Sequence, residues 1–192
     1  VKDDPTLECG FCCIATPAPC NCVSYRMPGL VQYNNLYYLT STVHQWRPLL
    51  RSDVQKQVIL DAYQYLSINN RVVIYAFVIL RNHFHLLFEV IPPSTKSKIL
   101  NSLLGATSTK LLALLNDDQR DQLRVNRSNK KIQFWKPNSL CVTIYSNKFL
   151  KQKLNYIHKN VERAGLPEDY YYSSYPSYLR GSSNFDFLTL WG

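Results

Sequence analysis

Long apolar runs are missing from this 192-residue chain: the longest, Val72 to Leu80, has nine residues. A helix needs about 20 apolar residues to cross a bilayer, so no membrane-spanning segment is expected and the cytoplasm is the expected compartment. No secretory leader is expected either, because the first residues carry no basic cluster ahead of an apolar stretch and prolines interrupt them. Internal repeats are absent, which excludes solenoids and propellers. Acidic residues are scarce, 13 against 22 Lys and Arg, for a net charge of +9. That excess points to a polyanionic partner and says nothing about the fold. Charged residues total 18% against 46% hydrophobic, which excludes the disordered class and leaves enough apolar surface for one core.

Methionine occurs once, at Met27, just ahead of the first strand-like run. Five of the six cysteines (Cys9, Cys12, Cys13, Cys20 and Cys22) crowd the chain before it; the sixth is Cys141. A C-x2-C followed by C-x-C could gather thiolates around zinc, but the second pair is tight for a zinc knuckle. The expectation is that residues 1–26 are upstream sequence or a disordered Cys-rich arm outside the domain. Residues 27–192 then form one domain, with an irregular Tyr/Ser-rich tail from about 168.

Residues 35–43 are rich in β-branched and aromatic types and read as a strand, which Trp46-Arg47-Pro48 breaks. From Asp53 to Asn69, Val54, Val58, Leu60, Ala62, Tyr65 and Leu66 lie near helical spacing. Val72–Leu80 reads as a buried central strand, and His83–Ile91 as its hairpin partner, stopped by Pro92-Pro93. Ser94 can cap the next helix, through Leu115; Asp117 to Lys131 reads as a polar loop or frayed extension. Ile132–Trp135 and Leu140–Ile144 are short strand candidates. Ser146 caps the last long helix, Asn147 to Ala164, which Gly165 and Pro167 end. The order β-α-β-β-α-β-α predicts an α+β class, a ferredoxin-like split βαβ antiparallel sheet with an extra C-terminal helix.

His83-Phe84-His85 opens the second hairpin strand, so both imidazoles project from one face, about 7 Å apart, and Phe84 from the other. Such a pair can share a divalent ion, or can be two partly buried structural histidines. On the last helix Leu150, Leu154, Ile157, Val161 and Ala164 form the core stripe. Tyr156 and Asn160 neighbour one another on its shoulder, with Lys153 and Arg163 on the same side and His158 on the opposite one.

Tyr38 to Val43, Tyr75 to Leu87 (with Arg81-Asn82-His83-Phe84-His85), Phe134-Trp135, Lys153 to Asn160 and Ala164-Gly165-Leu166 follow in an order that carries a resemblance, continued by Glu168-Asp169-Tyr170 to Ser174. Together they resemble the single-tyrosine HUH transposases of bacterial insertion sequences, particularly the REP-associated tyrosine transposase branch. The resemblance spans roughly residues 33–180 and includes nothing from 1–26. It implies that Tyr156 on the extra helix is the nucleophile, that His83 and His85 are metal ligands, and that Asn160 completes the site. It also implies Mg2+ or Mn2+ as cofactor, a 5′-phosphotyrosine intermediate, and single-stranded DNA hairpins of palindromic repeats as substrate. A phenol is a weak nucleophile at neutral pH, so the ion or the nearby Lys153 and Arg163 must assist it. Two positions depart from the family pattern: Arg81 stands where Pro is usual, and Val161-Glu162 where Pro-Val follows the Asn. Neither removes a catalytic group.

Basic residues concentrate in the C-terminal third, among them Lys130, Lys131, Lys136, Lys148, Lys153, Lys159, Arg163 and Arg180. With Arg81, the residues Lys136, Lys153 and Arg163 are the expected phosphate contacts. Trp135 and the tyrosines near 170–175 could stack unpaired bases or pack in the core. The alternative reading is a non-catalytic hairpin binder that keeps the fold and has lost strand cleavage; a zinc hydrolase lacks further ligands around HxH. The resemblance leaves monomer and homodimer both open.

Overall fold

The computed structural model describes residues 35–127 and 130–192, without the side chains of 126–131. The cysteine-rich segment 1–26, and the expectation attached to it, lie outside the described residues. In chain order the elements are β1 (Leu36–Thr42), α1 (Asp53–Ile68), β2 (Val72–Ile79), β3 (His83–Val90), α2 (Lys96–Ala113), α3 (Asp117–Asp121), β4 (Arg124–Arg127), β5 (Lys130–Ile132), β6 (Leu140–Thr143), α4 (Asn147–Arg163) and α5 (Tyr175–Arg180). The main sheet runs β2-β3-β1-β6 with every neighbouring pair antiparallel. β1 and β2 are thus parallel to each other with β3 between them and α1 as the crossover. This is the expected split βαβ arrangement.

Alternation divides the sheet into two faces. Phe84, Leu86 and Phe88 of β3 join Leu39, Ile74 and Phe77 in a buried cluster with Ile59, Tyr63 and Leu66 of α1 and Ile99, Leu103 and Leu111 of α2. The opposite face carries His83, His85, Leu87 and Glu89, and α4 packs over β2 and β3 there. Leu150, Leu154, Ile157 and Val161 are the buried stripe of α4; Ala164, expected to extend it, is its exposed C-cap.

Local signals set the helix ends. Ser146 Oγ accepts from Phe149 N, and Ser52 and Gln55 form a reciprocal capping box on α1. Gly165, at φ +65°, lets Leu166 N reach Val161 O at 3.0 Å and its own N reach Glu162 O at 2.8 Å. That paired closure stops α4 where the glycine predicts. The cap of α2 is Thr95, not Ser94. In α1 the buried apolar residues are Ile59, Leu60, Tyr63 and Leu66, whereas Val54 and Tyr65 are 62% and 58% exposed. Apolar residues nearly all round this helix hide its phase.

Two regions read as irregular are ordered. Asp117–Asp121 is a helical turn capped by Asn116, followed by the β4–β5 ribbon. The tail is no loose appendage either. Its backbone docks along β2, the edge strand: Ile79 N donates to Tyr172 O at 2.8 Å, Ser174 N to Phe77 O at 2.9 Å, and Thr189 N to Ile74 O at 2.9 Å. An exposed strand edge is a liability for aggregation, and the tail covers this one. Phe187 then packs edge-on against Tyr63 at 6.1 Å between ring centroids and lies 5.7 Å from Phe77.

The Tyr63 hydroxyl is buried in this cluster with no hydrogen-bond partner. Burying an unpaired hydroxyl costs on the order of 1–3 kcal/mol, so Tyr63→Phe should stabilise the fold by about 1 kcal/mol. Phe187→Ala should destabilise it by about 3 kcal/mol. Urea unfolding followed by far-UV circular dichroism checks both; a lower midpoint for Tyr63→Phe would contradict the packing described.

Candidate active site

Pairing across the sheet brings the candidate residues together. In the β1–β3 register Thr40 stands opposite His85 and Thr42 opposite His83. The two imidazoles lie edge to face, 4.9 Å between centroids. Nδ1 of His85 is 2.8 Å from both Tyr38 Oη and Thr40 Oγ1, and Thr40 Oγ1 donates to Tyr38 Oη at 3.1 Å. Nδ1 of His83 is 2.7 Å from Asn82 Oδ1. In both rings Nδ1 is therefore engaged and Nε2 points elsewhere. Nε2 of His85 is buried and has no hydrogen-bond partner.

Helix α4 lays Tyr156 against this pair. Its ring stands edge-on to His85 at 5.3 Å and to Tyr38 at 6.2 Å, and remains 38% exposed. Two of the expected cations flank it: Lys153 Nζ is 5.8 Å from the Tyr156 ring centroid and 4.6 Å from that of Tyr38, and Arg163 Cζ is 5.3 Å from Tyr156. Asn160 is buried beside them, but its Nδ2 donates to the Tyr156 carbonyl at 2.6 Å, back onto its own helix. Arg81 and Lys136 are exposed at the end of the sheet that holds His83; Lys136 N donates to Thr42 O at 2.7 Å. His158 faces away, as its helical phase predicts, 3.2 Å from Ser174 Oγ and against the Tyr178 ring.

Of the two readings open for Trp135, the structure shows packing. It is a core residue, packed on Phe84 and donating from Nε1 to Thr107 Oγ1 at 3.1 Å, so it presents no face to a base. Tyr170 and Tyr172 likewise pack and bond to the backbone of Ile79 and Asp53. Sequence reading missed Tyr38, Thr40 and Asn82 as partners of the histidines. Alternation along the first strand, which puts residues 38 and 40 on one face, is the signal that could have found the first two.

Burial governs the ionisation of the site. Desolvation, helped by His83 and by the Lys153 charge, lowers the His85 pKa to about 3, and desolvation also lowers that of His83. Both rings are neutral at pH 7 and keep a lone pair for a ligand. Burial raises the Tyr38 pKa to about 12, so its phenol stays protonated at pH 7.

The structure is similar to that of a REP-associated tyrosine transposase bound to a REP hairpin, with a TM-score of 0.58 and 17% identity over 81% of this chain and 86% of that one. The fold is thus that of a tyrosine transposase. A protein of Deinococcus radiodurans R1 assigned as a transposase gives a TM-score of 0.44 and 17% identity over 69% of this chain and 92% of that one. No curated protein matches. The model of the family described as "Transposase IS200 like" matches residues 31–160, and the chain belongs to that family. Among the described residues, no helix is long and apolar enough to cross a membrane.

Unfolded histidines take up a proton near pH 6.5, whereas folded His85 resists until about pH 3 and buried His158 until about pH 4. The unfolded state therefore binds more protons in this range, and stability falls as pH drops from 6.5 towards 4. Chemical denaturation of chelator-treated protein across that window should show the decline. His158→Gln should flatten it; an unchanged slope in that variant would contradict the burial of His158.

Proposed function

We propose that the protein cleaves and rejoins single-stranded DNA beside a hairpin through a 5′-phosphotyrosine on Tyr156. The observation that carries this reading is the Tyr156 ring set against His85, whose buried Nε2 lacks a partner. A buried unpaired ring nitrogen is costly, and a divalent cation is the ligand that a neutral imidazole pair suits. His83 and His85 would hold that cation, with Asn160 as the resemblance's third ligand. Among the described residues no cluster of three or more His, Cys, Asp or Glu gathers, so remaining ligands would come from amides, water or the DNA phosphate itself. When bound, Mg2+ or Mn2+ would polarise the scissile phosphate and offset charge in the transition state.

The protein's own part is nucleophile and electrostatics. The Tyr156 phenol loses its proton and its oxygen attacks phosphorus, forming a Tyr–O–P bond. The P–O3′ bond breaks, the 3′ oxygen takes up a proton, and the 5′-phosphotyrosine keeps the bond energy for rejoining. Lys153 and Arg163, at the ring faces, put positive charge where the negative charge of the transition state would gather. Tyr38 and Thr40 hold the His85 ring: with its proton on Nδ1, bonded to their oxygens, the Nε2 lone pair faces the site. Exposed Arg81 and Lys136 would meet backbone phosphates at the same end of the sheet. The REP hairpin on the similar structure supports a hairpin as the substrate. We take residues 27–192 as the catalytic unit.

Labelled single-stranded DNA carrying palindromic repeats, incubated with Mg2+ or Mn2+ and run on a denaturing gel, should give a protein–DNA band. Tyr156→Phe or chelation should abolish it. Hairpin binding with no covalent band in either metal would leave a DNA-binding protein without cleavage. Tyr38→Phe combined with Thr40→Val should weaken metal affinity about 10- to 100-fold by calorimetry while the fold stays intact. Unchanged affinity would remove these two residues from the site.

A further inference from the structure

We infer that Trp46 is a stacking platform for one unpaired base of the DNA strand held at the histidines; this rests on the function proposed above. Of the three tryptophans, Trp135 is 6% exposed and Trp191 packs edge-on against Tyr75, while the Trp46 indole is 56% exposed. It stands at the rim of the site, its ring 5.9 Å from that of His83 at 71°.

The chain holds it there against local preference. Gln45 and Trp46 both have left-handed backbone, at φ +54° and +59°. For a bulky residue this conformation is a genuine outlier, and two in succession require support from elsewhere. Asn82 supplies part of it: its Nδ2 donates to Trp46 O at 3.3 Å, while its Oδ1 engages Nδ1 of His83 at 2.7 Å. One amide thus ties the position of the indole to a candidate metal ligand. Trp46 N closes the turn on Val43 O at 2.9 Å, directly after β1.

An exposed indole strapped beside a phosphate-handling site, in a protein with excess positive charge, suits a nucleobase. Every base presents a π face, so such a platform would grip without reading sequence. Arg81, exposed and adjacent to Asn82, is placed to take a phosphate next to the stacked base. The substrate feature implied is an unpaired nucleotide flanking the hairpin, not a paired one, because a base within the duplex has no free face.

The test uses the full chain in a Tyr156→Phe background, where binding is measured without cleavage. The probe is a hairpin oligonucleotide with a single-stranded flank, in a series with one abasic site moved along the flank. Trp46→Ala should weaken binding of the intact probe about tenfold, and Trp46→Phe should restore most of it. At one flank position, removing the base should cost the Trp46 protein about tenfold and the Trp46→Ala protein nothing. Equal losses for both proteins at every position, or full affinity in Trp46→Ala, would overturn the stacking assignment and leave the proposed function standing. No affinity of the Trp46 protein for the intact probe would overturn both.

Discussion

The register of β3 against its two neighbours is the constraint on which the rest of the molecule depends. Side chains alternate along a strand, so a slip of one residue would send His83 and His85 into the core and Phe84 out of it. The slip is prevented by burial. Phe84, Leu86 and Phe88 lie under α1 and α2, with Phe84 wedged between Tyr63 and Trp135. Each large side chain of this kind contributes on the order of 2 kcal/mol when buried. The hydrophobic face that folds the sheet therefore also sets the polar face. It places Thr40 across from His85, and the hydroxyls of Thr40 and Tyr38 close on one imidazole nitrogen because no other register lets them.

Helix α4 adds the second half of the site, and it is fixed from two sides. Its apolar stripe settles on the sheet, and on its far shoulder His158 meets Ser174, Tyr175 and Tyr178 of the tail. Ser174 also donates from its backbone to β2 through Phe77 O. The tail is thus a brace that ties the edge of the sheet to the helix bearing Tyr156. Without it, α4 would have only an amphipathic face to define its rotation, and a rotation of one residue, about 100°, would carry Tyr156 off His85.

Fold and site were legible in the sequence to different depths. Strand alternation and a glycine stop are local, and they were enough to separate Phe84 from the two histidines and to end α4, while the order of elements pointed to the split βαβ sheet. The shoulder of α4 was legible for the same reason: Tyr156 and Asn160 share a face through helical spacing alone. Long-range pairing was not. Nothing near Tyr172 or Phe187 announces that the tail will cover β2, because that depends on an unpaired edge about a hundred residues earlier. Trp135 and Trp46 show the same limit. Both sit in aromatic or turn-like stretches, yet one is sealed under α2 by a hydrogen bond to Thr107 and the other is held outward by Asn82. The sequence left Trp135 between a base and the core and marked Trp46 only as the break after the first strand; the tertiary contacts separate them.

Exceptions to ordinary local rules among the described residues include the unpartnered Nε2 of His85, the left-handed pair Gln45-Trp46, and the unpartnered hydroxyl of Tyr63. Such exceptions cluster where a protein acts, but an exception alone assigns nothing. Tyr63 is the counterexample. Its ring packs against Phe77, Phe84 and Phe187, groups that can neither react nor bind an ion, and its buried hydroxyl reads as a cost the core absorbs. The other two exceptions converge. His85 has beside it a second neutral imidazole and an exposed phenol flanked by two cations, and the left-handed pair hangs from the amide that holds that second imidazole. An ion bound at Nε2 would relieve the first exception, and by mass action would stabilise the folded state as well as equip it.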